Sequence, residues 1–318
     1  MNFTCKICGN GKGNQFYSVR EMQFGTRDAF LYCQCSSCGC LQLTNPPIDL
    51  SKYYPTQYFS FQLPTENYIK KKLNISRDRF AFGIPSFLGK LFFSKYGTPT
   101  YINWLNEMNV TLSSPILDVG SGIGKLLYRM GNAGFENLTG IDAFIEKDIH
   151  YKSGVKILKK SLFEIDGKFD LIMMHHSLEH MEDQHAVFKK LTTLLDAGKF
   201  LFIRIPTCSS YAWEHYKENW FALEAPRHFF NHSLKSFTYL AEKYGFVVKK
   251  IIYDSRTIQF YGSEQYRKDI PLMDDRSYFV NHANSIFTKS QLDEFENETK
   301  RLNESGRGDQ VGIFLVKL

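Results

Sequence analysis

Two pairs of cysteines near the start of the chain could bind a metal ion. They read Cys5-x-x-Cys8 and Cys35-x-x-Cys38. Thiolate sulfur is a preferred ligand of Zn²⁺, and two such pairs supply the four corners of a tetrahedral site. Four protein thiolates leave no coordination position open for chemistry. The spacing therefore predicts a structural zinc site.

Two further cysteines leave alternatives open for this site. Cys33 and Cys40 lie beside the second pair and could be spare thiols or replace one of the predicted ligands. A disulfide framework is the rival interpretation, although a cytosolic chain keeps such thiols reduced. We expect zinc, with the two Cys-x-x-Cys pairs as its ligands.

A glycine-rich loop is the second feature with chemical meaning. Asp118-Val119-Gly120-Ser121-Gly122-Ile123-Gly124 joins a predicted strand to a predicted helix. Glycine lets the backbone turn tightly and lets a ligand press against it. Lys125 follows the last glycine, so the loop is G-x-G-x-G and lacks the third glycine position of a dinucleotide fingerprint. Asp142 ends the next predicted strand, where a carboxylate can accept hydrogen bonds from ribose hydroxyls.

Histidines follow two later predicted strands. His175-His176-Ser177-Leu178-Glu179-His180 comes after the fourth strand, and Pro226-Arg227-His228-Phe229-Phe230 comes after the fifth. Imidazole titrates near neutral pH, which suits it to accept a proton from a hydroxyl. We predict His228 as the catalytic base, with His176 and Tyr58 as further catalytic candidates. The aromatic residues predicted to form an apolar wall for an acceptor are Trp213, Trp220 and Phe221.

These motifs together resemble class I S-adenosylmethionine-dependent methyltransferases. The G-x-G-x-G loop with its preceding acid resembles their motif I, and Leu178-Glu179-His180 resembles a signature of glycan- and metabolite-modifying methyltransferases. With the cysteine pairs and the stretch 226–230, the chain is similar to bacterial zinc-lobe methyltransferases of sugar, lipopolysaccharide and capsule biosynthesis. The resemblance implies S-adenosylmethionine as cofactor. The residues then expected to bind it are Asp118, Gly120, Ser121, Gly122, Gly124, Asp142, Ala143 and His175.

Two departures from related enzymes shape the expected reaction. The deoxysugar C-methyltransferases, to which the chain is also similar, have a long domain after the Rossmann unit, whereas residues 311–318 read as its last strand. They also read His-Glu-His where this chain has Pro226-Arg227-His228. We therefore expect O-methylation of a sugar, nucleotide-linked sugar or glycan precursor. The alternatives are an RNA methyltransferase with a zinc lobe and a catalytically inactive binding module of the same fold.

The elements that must position these residues are strands alternating with helices. Apolar runs at 116–119, 138–141, 155–158, 169–174, 200–205, 246–253 and 311–318 predict strands. Apolar residues at helical spacing between them predict a mostly parallel sheet with helices on both faces. The expected organisation is a zinc lobe at 1–50, an aromatic and helical linker at 51–112, and a Rossmann-like α/β domain at 113–318.

Composition is that of an ordinary folded protein. Apolar residues make up 43% and charged residues 23% of the 318 residues, and the net charge is +6. Lysines occur in short scattered runs, which does not favour a nucleic-acid partner. No apolar run reaches the roughly 20 residues of a membrane span, and the first residues lack the features of a signal peptide. We expect a cytoplasmic protein.

Overall fold

The computed structural model describes residues 3–54 and 68–318. Its strands are β1 (Gln15–Arg20), β2 (Ala29–Gln34), β3 (Leu41–Leu43), β4 (Ile116–Val119), β5 (Leu138–Ile141), β6 (Ile149–His150), β7 (Lys156–Leu158), β8 (Phe169–His175), β9 (Leu195–Pro206), β10 (Phe230–Asn231), β11 (Phe246–Tyr253) and β12 (Gln310–Lys317). Its α-helices are α1 (Tyr68–Ala81), α2 (Phe87–Tyr96), α3 (Thr100–Asn106), α4 (Lys125–Ala133), α5 (Gln184–Leu194), α6 (Tyr211–Tyr216), α7 (Leu234–Lys243), α8 (Ile258–Arg267) and α9 (Lys289–Glu304).

The larger sheet has eight strands in the order β11-β12-β9-β8-β4-β5-β7-β6. The β4 strand pairs in parallel with both β5 and β8, β5 pairs in parallel with β7, and β6 adds an antiparallel edge. From β4 the chain continues to β5 and β7 on one side of the sheet and then crosses to β8 and β9 on the other, so the strand order reverses between β4 and β8. In sheets of this type ligands bind beyond the carboxyl ends of the strands at that reversal. The predicted Rossmann-like, mostly parallel arrangement of the central strands is confirmed.

Continuous apolar runs explain why the central strands form. All four residues of β4 are buried, as are Leu171 to Met174 of β8. Strands that are covered on both faces have such continuous apolar sequences. The helix after β4 buries Leu127, Met130 and Ala133 on one face and ends at Gly134, whose φ of 117° suits glycine.

The boundary between α5 and β9 differs from the sequence-based expectation. The predicted helix closes near Gly198, and the predicted strand begins at residue 200. In the structure α5 ends at Leu194 and β9 begins at the next residue. Gly198 lies within the strand at a φ of 81°. A glycine at positive φ locally bends a strand, so the pattern that marks a helix end here marks a distortion of a longer strand.

The smaller sheet contains the cysteine-rich segment. Its order is β1-β2-β3-β10, and all three pairings are antiparallel. In the last of these pairings Phe230 lies opposite Gln42 and Asn231 opposite Leu41. The sheet therefore carries the stretch that follows His228 next to the segment that holds the second cysteine pair.

The chain divides into two compact units that are discontinuous in sequence. The first unit contains Met1–Pro55, His176–Phe188 and Ile203–Ile313. The second contains Thr56–His175, Lys189–Phe202 and Phe314–Leu318. The division into three consecutive segments at 1–50, 51–112 and 113–318 stays a prediction. In the described part of the chain, no helix has the length and apolar character to cross a membrane.

Candidate active site and candidate metal centre

The glycine loop lies in the second unit, directly after β4. Gly120, Gly122 and Gly124 all have positive φ, between 55° and 73°. A Cβ atom on Gly124 would lie 2.2 Å from Cδ1 of Ile157. The loop thus needs glycine both for its backbone conformation and for its close approach to Ile157 of β7. Asp142 holds the loop, since its Oδ2 accepts a hydrogen bond of 2.9 Å from the Gly122 amide.

Asp118 is a buried acid at the start of this loop. Its side chain is 4% exposed, and its Oδ1 has no hydrogen-bond partner among the described residues. Burial, together with the charge of Asp142, raises the pKa of Asp118 to about 8. A buried carboxyl oxygen without a partner is costly, and it is a candidate contact for a polar or cationic ligand.

The residues around this loop fit S-adenosylmethionine. Asp142 follows the carboxyl end of β5, where a ribose can be bound, and the loop presents backbone without side chains at Gly120, Gly122 and Gly124. Of the remaining predicted contacts, Ser121 is half-buried and Ala143 is exposed. The His175 ring packs 5.2 Å from Trp104 and 5.5 Å from Phe202, measured between ring centroids. His175 is thus part of an aromatic cluster within the same unit.

A cluster of histidines and acids lies in the first unit. It begins at His176, whose φ is 52°, an uncommon value for this residue type. His176 Nδ1 lies 3.3 Å from Oε1 of Glu179, which is 1% exposed and whose oxygens accept no hydrogen bond in the described part of the chain. Burial would raise the pKa of Glu179, but His176 and the neighbouring His180 and His228 outweigh it and hold the pKa at about 2.

The protons of two histidines are fixed by backbone carbonyls. Nδ1 of His228 lies 2.9 Å from the Ala222 oxygen, and Nδ1 of His180 lies 2.8 Å from the Arg227 oxygen. Since a carbonyl oxygen only accepts, Nδ1 is the protonated nitrogen in both rings. Nε2 then carries the lone pair in a neutral ring. Burial lowers the pKa of His228 to about 4, so this ring is neutral at pH 7.

Buried charges beside this cluster are not predicted by any local sequence pattern. Arg227 is fully buried; its NH1 lies 3.6 Å from Glu21, and its Nε lies 3.5 Å from Glu224. Glu21 in turn accepts hydrogen bonds from three backbone amides. The histidines of the stretches 175–180 and 226–230 are the residues of this region that the sequence pattern predicts. One ligand atom each from Glu179, His180 and His228 lie within 4.8 Å of one another, close enough to hold a divalent cation as well.

The predicted apolar wall is wrong in one respect. Trp213 and Trp220 are 2% and 1% exposed, and the Trp220 indole donates a hydrogen bond to Asp309. They form part of the core of the first unit and present no open face. Phe221 is half-buried against the cluster formed by Met22, Tyr266 and Leu272. The remaining catalytic candidate, Tyr58, lies outside the described residues.

The four predicted zinc ligands come together. Their Sγ atoms lie within 4.8 Å of one another, with 3.6 Å between Cys5 and Cys38 and 3.6 Å between Cys8 and Cys35. Sulfur atoms bound tetrahedrally to zinc at about 2.3 Å are about 3.8 Å apart. The donor set therefore fits Zn²⁺. Neither Cys33 nor Cys40 belongs to this group.

Tight turns and a side-chain amide support the sulfur cluster. A glycine follows the second cysteine of each pair, and both glycines have φ near 77°. The Gly9 amide donates a hydrogen bond to the Cys5 carbonyl oxygen, and the Gly39 amide donates one to the Cys35 carbonyl oxygen. Gln42 donates a hydrogen bond of 2.9 Å to the Cys5 sulfur. A donor to sulfur such as the Gln42 amide stabilises a thiolate and orients a metal ligand.

Comparison with known proteins gives a consistent assignment of the fold. Residues 95–251, just under half of the chain, match a family model described as a methyltransferase domain. The chain is 27% identical over 144 residues to EEF1A lysine methyltransferase 2 of Danio rerio, covering 45% of this chain and 57% of that protein. It is 30% identical over 117 residues to the ubiquinone biosynthesis O-methyltransferase of Bordetella avium (strain 197N), covering 33% of this chain and 48% of that protein.

The chain thus spans about half the length of these curated relatives. Among solved structures, a SAM-dependent methyltransferase from Archaeoglobus fulgidus superimposes with a TM-score of 0.41 at 16% identity, over 71% of this chain and 98% of that one. The family match falls on the segment that contains the glycine loop, both predicted histidine stretches and the central strands.

Proposed function

We propose that this chain, whose residues 95–251 form an S-adenosylmethionine-dependent methyltransferase domain, methylates a hydroxyl group of a sugar, nucleotide-linked sugar or glycan precursor. One observation carries the cofactor assignment. The glycine loop after β4 is held by Asp142 and preceded by the buried, incompletely bonded Asp118. Such an arrangement accepts a ribose at one acid and a cationic group at the other.

The chain's own contribution to the reaction is alignment and proton handling. S-adenosylmethionine supplies an electrophilic methyl group on a sulfonium. Asp142 and the loop backbone would hold the ribose, and Asp118 would face positive charge. Methyl transfer is an in-line displacement, so fixing the geometry supplies much of the rate acceleration. The acceptor hydroxyl must also lose its proton.

We propose that His228 accepts the proton of the acceptor hydroxyl. Its Nε2 carries a lone pair because Nδ1 donates to the Ala222 carbonyl. Both ring nitrogens of His176 have neighbours, with Glu179 3.3 Å from Nδ1 and Arg204 2.9 Å from Nε2. His176 is therefore better suited to position Glu179 than to accept a proton. Removing a general base typically costs about 10²–10⁴-fold in rate.

The acceptor class rests on the sequence resemblance and on the relatives. The sugar acceptor follows from the resemblance of residues 178–180 and 226–230 to glycan-modifying enzymes. An O-methyltransferase among the relatives favours a hydroxyl acceptor. A lysine methyltransferase among them favours a second candidate, N-methylation of a protein lysine. RNA is retained only as a control acceptor.

We also propose that Cys5, Cys8, Cys35 and Cys38 bind one structural Zn²⁺. The short sulfur–sulfur distances and the hydrogen bond from Gln42 support this assignment. With all four ligands from protein, the ion would have no open position and would act on folding alone.

The function is tested by cofactor binding followed by an acceptor screen. We expect S-adenosylmethionine and S-adenosylhomocysteine to bind and to raise the melting temperature, whereas NAD does not. Asp142→Ala should weaken both ligands by roughly 10–100-fold, because charge-assisted hydrogen bonds to the ribose are lost. Asp148→Ala, which removes an exposed acid after the same strand, is the matched control.

Methyl transfer is then measured with nucleotide sugars, glycan precursors, lysine peptides and RNA. Turnover of a sugar hydroxyl supports the proposal, and turnover of lysine alone moves it to the second candidate. Stabilisation by NAD without binding of S-adenosylmethionine would refute the methyltransferase assignment itself.

A further inference from the structure

The net charge of the chain is concentrated in one helical segment. Residues 68–100 contain seven lysines and arginines and a single acid, Asp78. The chain as a whole has 39 basic and 33 acidic residues, so the rest of it has 32 of each. The entire excess of six positive charges thus belongs to a tenth of the chain.

This segment forms a helical hairpin within the second unit. Helices α1 and α2 pack closely at Gly89, where an added Cβ would lie 2.3 Å from the Ser76 carbonyl oxygen. Phe80 and Phe93 meet in an edge-to-face contact with ring centroids 5.4 Å apart. The two helices therefore form one defined element whose outer surface is set by the remaining side chains.

The only acid of the hairpin is used to anchor it. Asp78 is fully buried and accepts hydrogen bonds from Arg129 of α4 and from the Tyr101 hydroxyl of α3. Arg77 lies 3.5 Å from the same carboxylate. Lys71 rests on Tyr128 of α4, with Nζ 4.7 Å from the ring centroid. The single acid of residues 68–100 is thus buried and bonded to α3 and α4.

The outer surface of the hairpin is also strongly apolar. Phe87 is 79% exposed, and Leu88 and Leu91 are each exposed by more than half. These three residues fall at i, i+1 and i+4 of α2, so they share one helical face. Ile69 and Tyr96 are 67% and 56% exposed. Exposed lysines and an arginine accompany them, at Lys70, Lys72, Arg79, Lys90 and Lys95.

We propose that the α1–α2 hairpin binds the surface of an anionic lipid membrane. Exposed aromatic and aliphatic side chains can enter the boundary between headgroups and acyl chains, while flanking lysines contact anionic headgroups. A nucleic acid would match the charge but would leave this apolar face unburied. A contiguous exposed apolar patch on a soluble domain marks an interaction site.

The inference goes beyond the proposed function, which requires no membrane. Its test does not depend on that function. Vesicle binding is measured with the full chain and without methyl donor or acceptor, so a failure to bind vesicles and a failure to methylate are separate results.

Co-flotation with phospholipid vesicles tests the proposal. The full chain should bind vesicles of phosphatidylcholine that contain phosphatidylglycerol, and bind pure phosphatidylcholine vesicles much more weakly. Lys90→Glu/Lys95→Glu should weaken binding by about 30-fold or more, since each lysine near the surface contributes strongly. Phe87→Ser/Leu91→Ser should weaken it by about tenfold or more through lost apolar insertion. Added salt should weaken the wild type.

Two matched controls separate position from composition. Lys249→Glu/Lys250→Glu makes the same charge change on an exposed strand, and Phe163→Ser removes an exposed aromatic residue elsewhere. Both should bind vesicles as the wild type does. The substituted residues are exposed, and a circular dichroism melt checks that each variant is folded.

Four results would overturn the proposal. The wild type could fail to float with anionic vesicles at low salt. The controls could lose binding as much as the hairpin variants do. Sedimentation could show a dimer that Phe87→Ser/Leu91→Ser dissociates, which would assign the apolar face to a second copy of the chain. Tight binding of an RNA oligomer that ignores Phe87 and Leu91 but needs Lys90 and Lys95 would likewise reassign the surface.

Discussion

Asp118 illustrates how a single buried group can report on a ligand. An isolated carboxyl group in a dry environment favours the protonated form, and the nearby Asp142 charge adds to this preference. Since the pKa of about 8 in the folded state exceeds the unfolded value, folding takes up a proton between about pH 4 and pH 8. The contribution of Asp118 to stability therefore declines as the pH rises through that window.

Cofactor binding should reverse this preference. A cation beside Asp118 favours its ionised form, so binding should release a proton and the affinity for S-adenosylmethionine should rise from pH 6 to about pH 8 and then level off. Calorimetry in buffers of different ionisation enthalpy measures both the affinity and the released proton. In Asp118→Asn the rise should vanish. An equal pH dependence in Asp118→Asn and the wild type would place the ligand's positive charge elsewhere.

His228 can be separated from a purely structural histidine by a matched neighbour. His228→Ala should lower kcat by about 10²–10⁴-fold while the Kd for S-adenosylmethionine stays within about twofold. His232 is equally buried, but its nitrogens contact Ser236 and Gln184. His232→Gln should therefore cost stability and leave kcat per folded molecule nearly intact. The base assignment fails if the two variants lose turnover equally.

Local spacing accounts for which site residues the sequence predicts. The cysteine pairs and the glycine loop are defined within a few residues, and the structure brings each set together. Glu21 and Arg227 escape such reasoning because they are 206 positions apart and meet only in the folded first unit. A buried arginine cannot be recognised from its neighbours in the chain. Its burial depends on partners that only the fold supplies.

At the scale of elements, continuous apolar runs are the dependable signal. The predicted strands 116–119, 138–141 and 246–253 coincide with β4, β5 and β11. The N-terminal sheet was not predicted, because β1 and β2 are half-exposed and lack a clear apolar run. The helices between β11 and β12 were also missed. Their apolar residues pack on one another. This part of the chain therefore lacks the alternation of strands and helices that predicts the other elements.

Close helix packing makes Gly89 a test of the α1–α2 hairpin. Gly89→Ala would place a methyl group against the Ser76 carbonyl, so the helices must separate. Overpacking of this kind typically costs about 1–3 kcal/mol. Hydrogen exchange should show faster exchange in α1 and α2 with little change in β4 and β8. Ser94→Ala, at an exposed position of α2, should leave exchange unaltered. Unchanged protection in Gly89→Ala would contradict the observed packing.

At the scale of the molecule, the cysteine-rich segment is part of a larger unit. It is grouped with residues 176–188 and 203–313, which are far away in sequence. Contacts that join them include His185 Nε2 to the Ile7 carbonyl at 3.0 Å and the Cys208 thiol to the Gly39 carbonyl at 3.2 Å. Sequence patterns predict a small lobe at the start of the chain, but they do not reveal what that segment packs against.

Loss of zinc should therefore be felt well beyond the cysteines. Elemental analysis should find about one zinc per chain, and Cys5→Ser should lose it. Structural zinc sites contribute strongly to folding, so removal of the metal should lower the melting temperature. Hydrogen-exchange protection should then fall across 176–188 and 203–313 as well as around the two cysteine pairs, because these segments form one unit.

Cys208→Ser keeps a donor for the Gly39 carbonyl and lies outside the sulfur cluster, so it should retain both metal and protection. Exchange that changes only within the first 50 residues would show that the lobe folds on its own, and native protection without any metal would refute the zinc site.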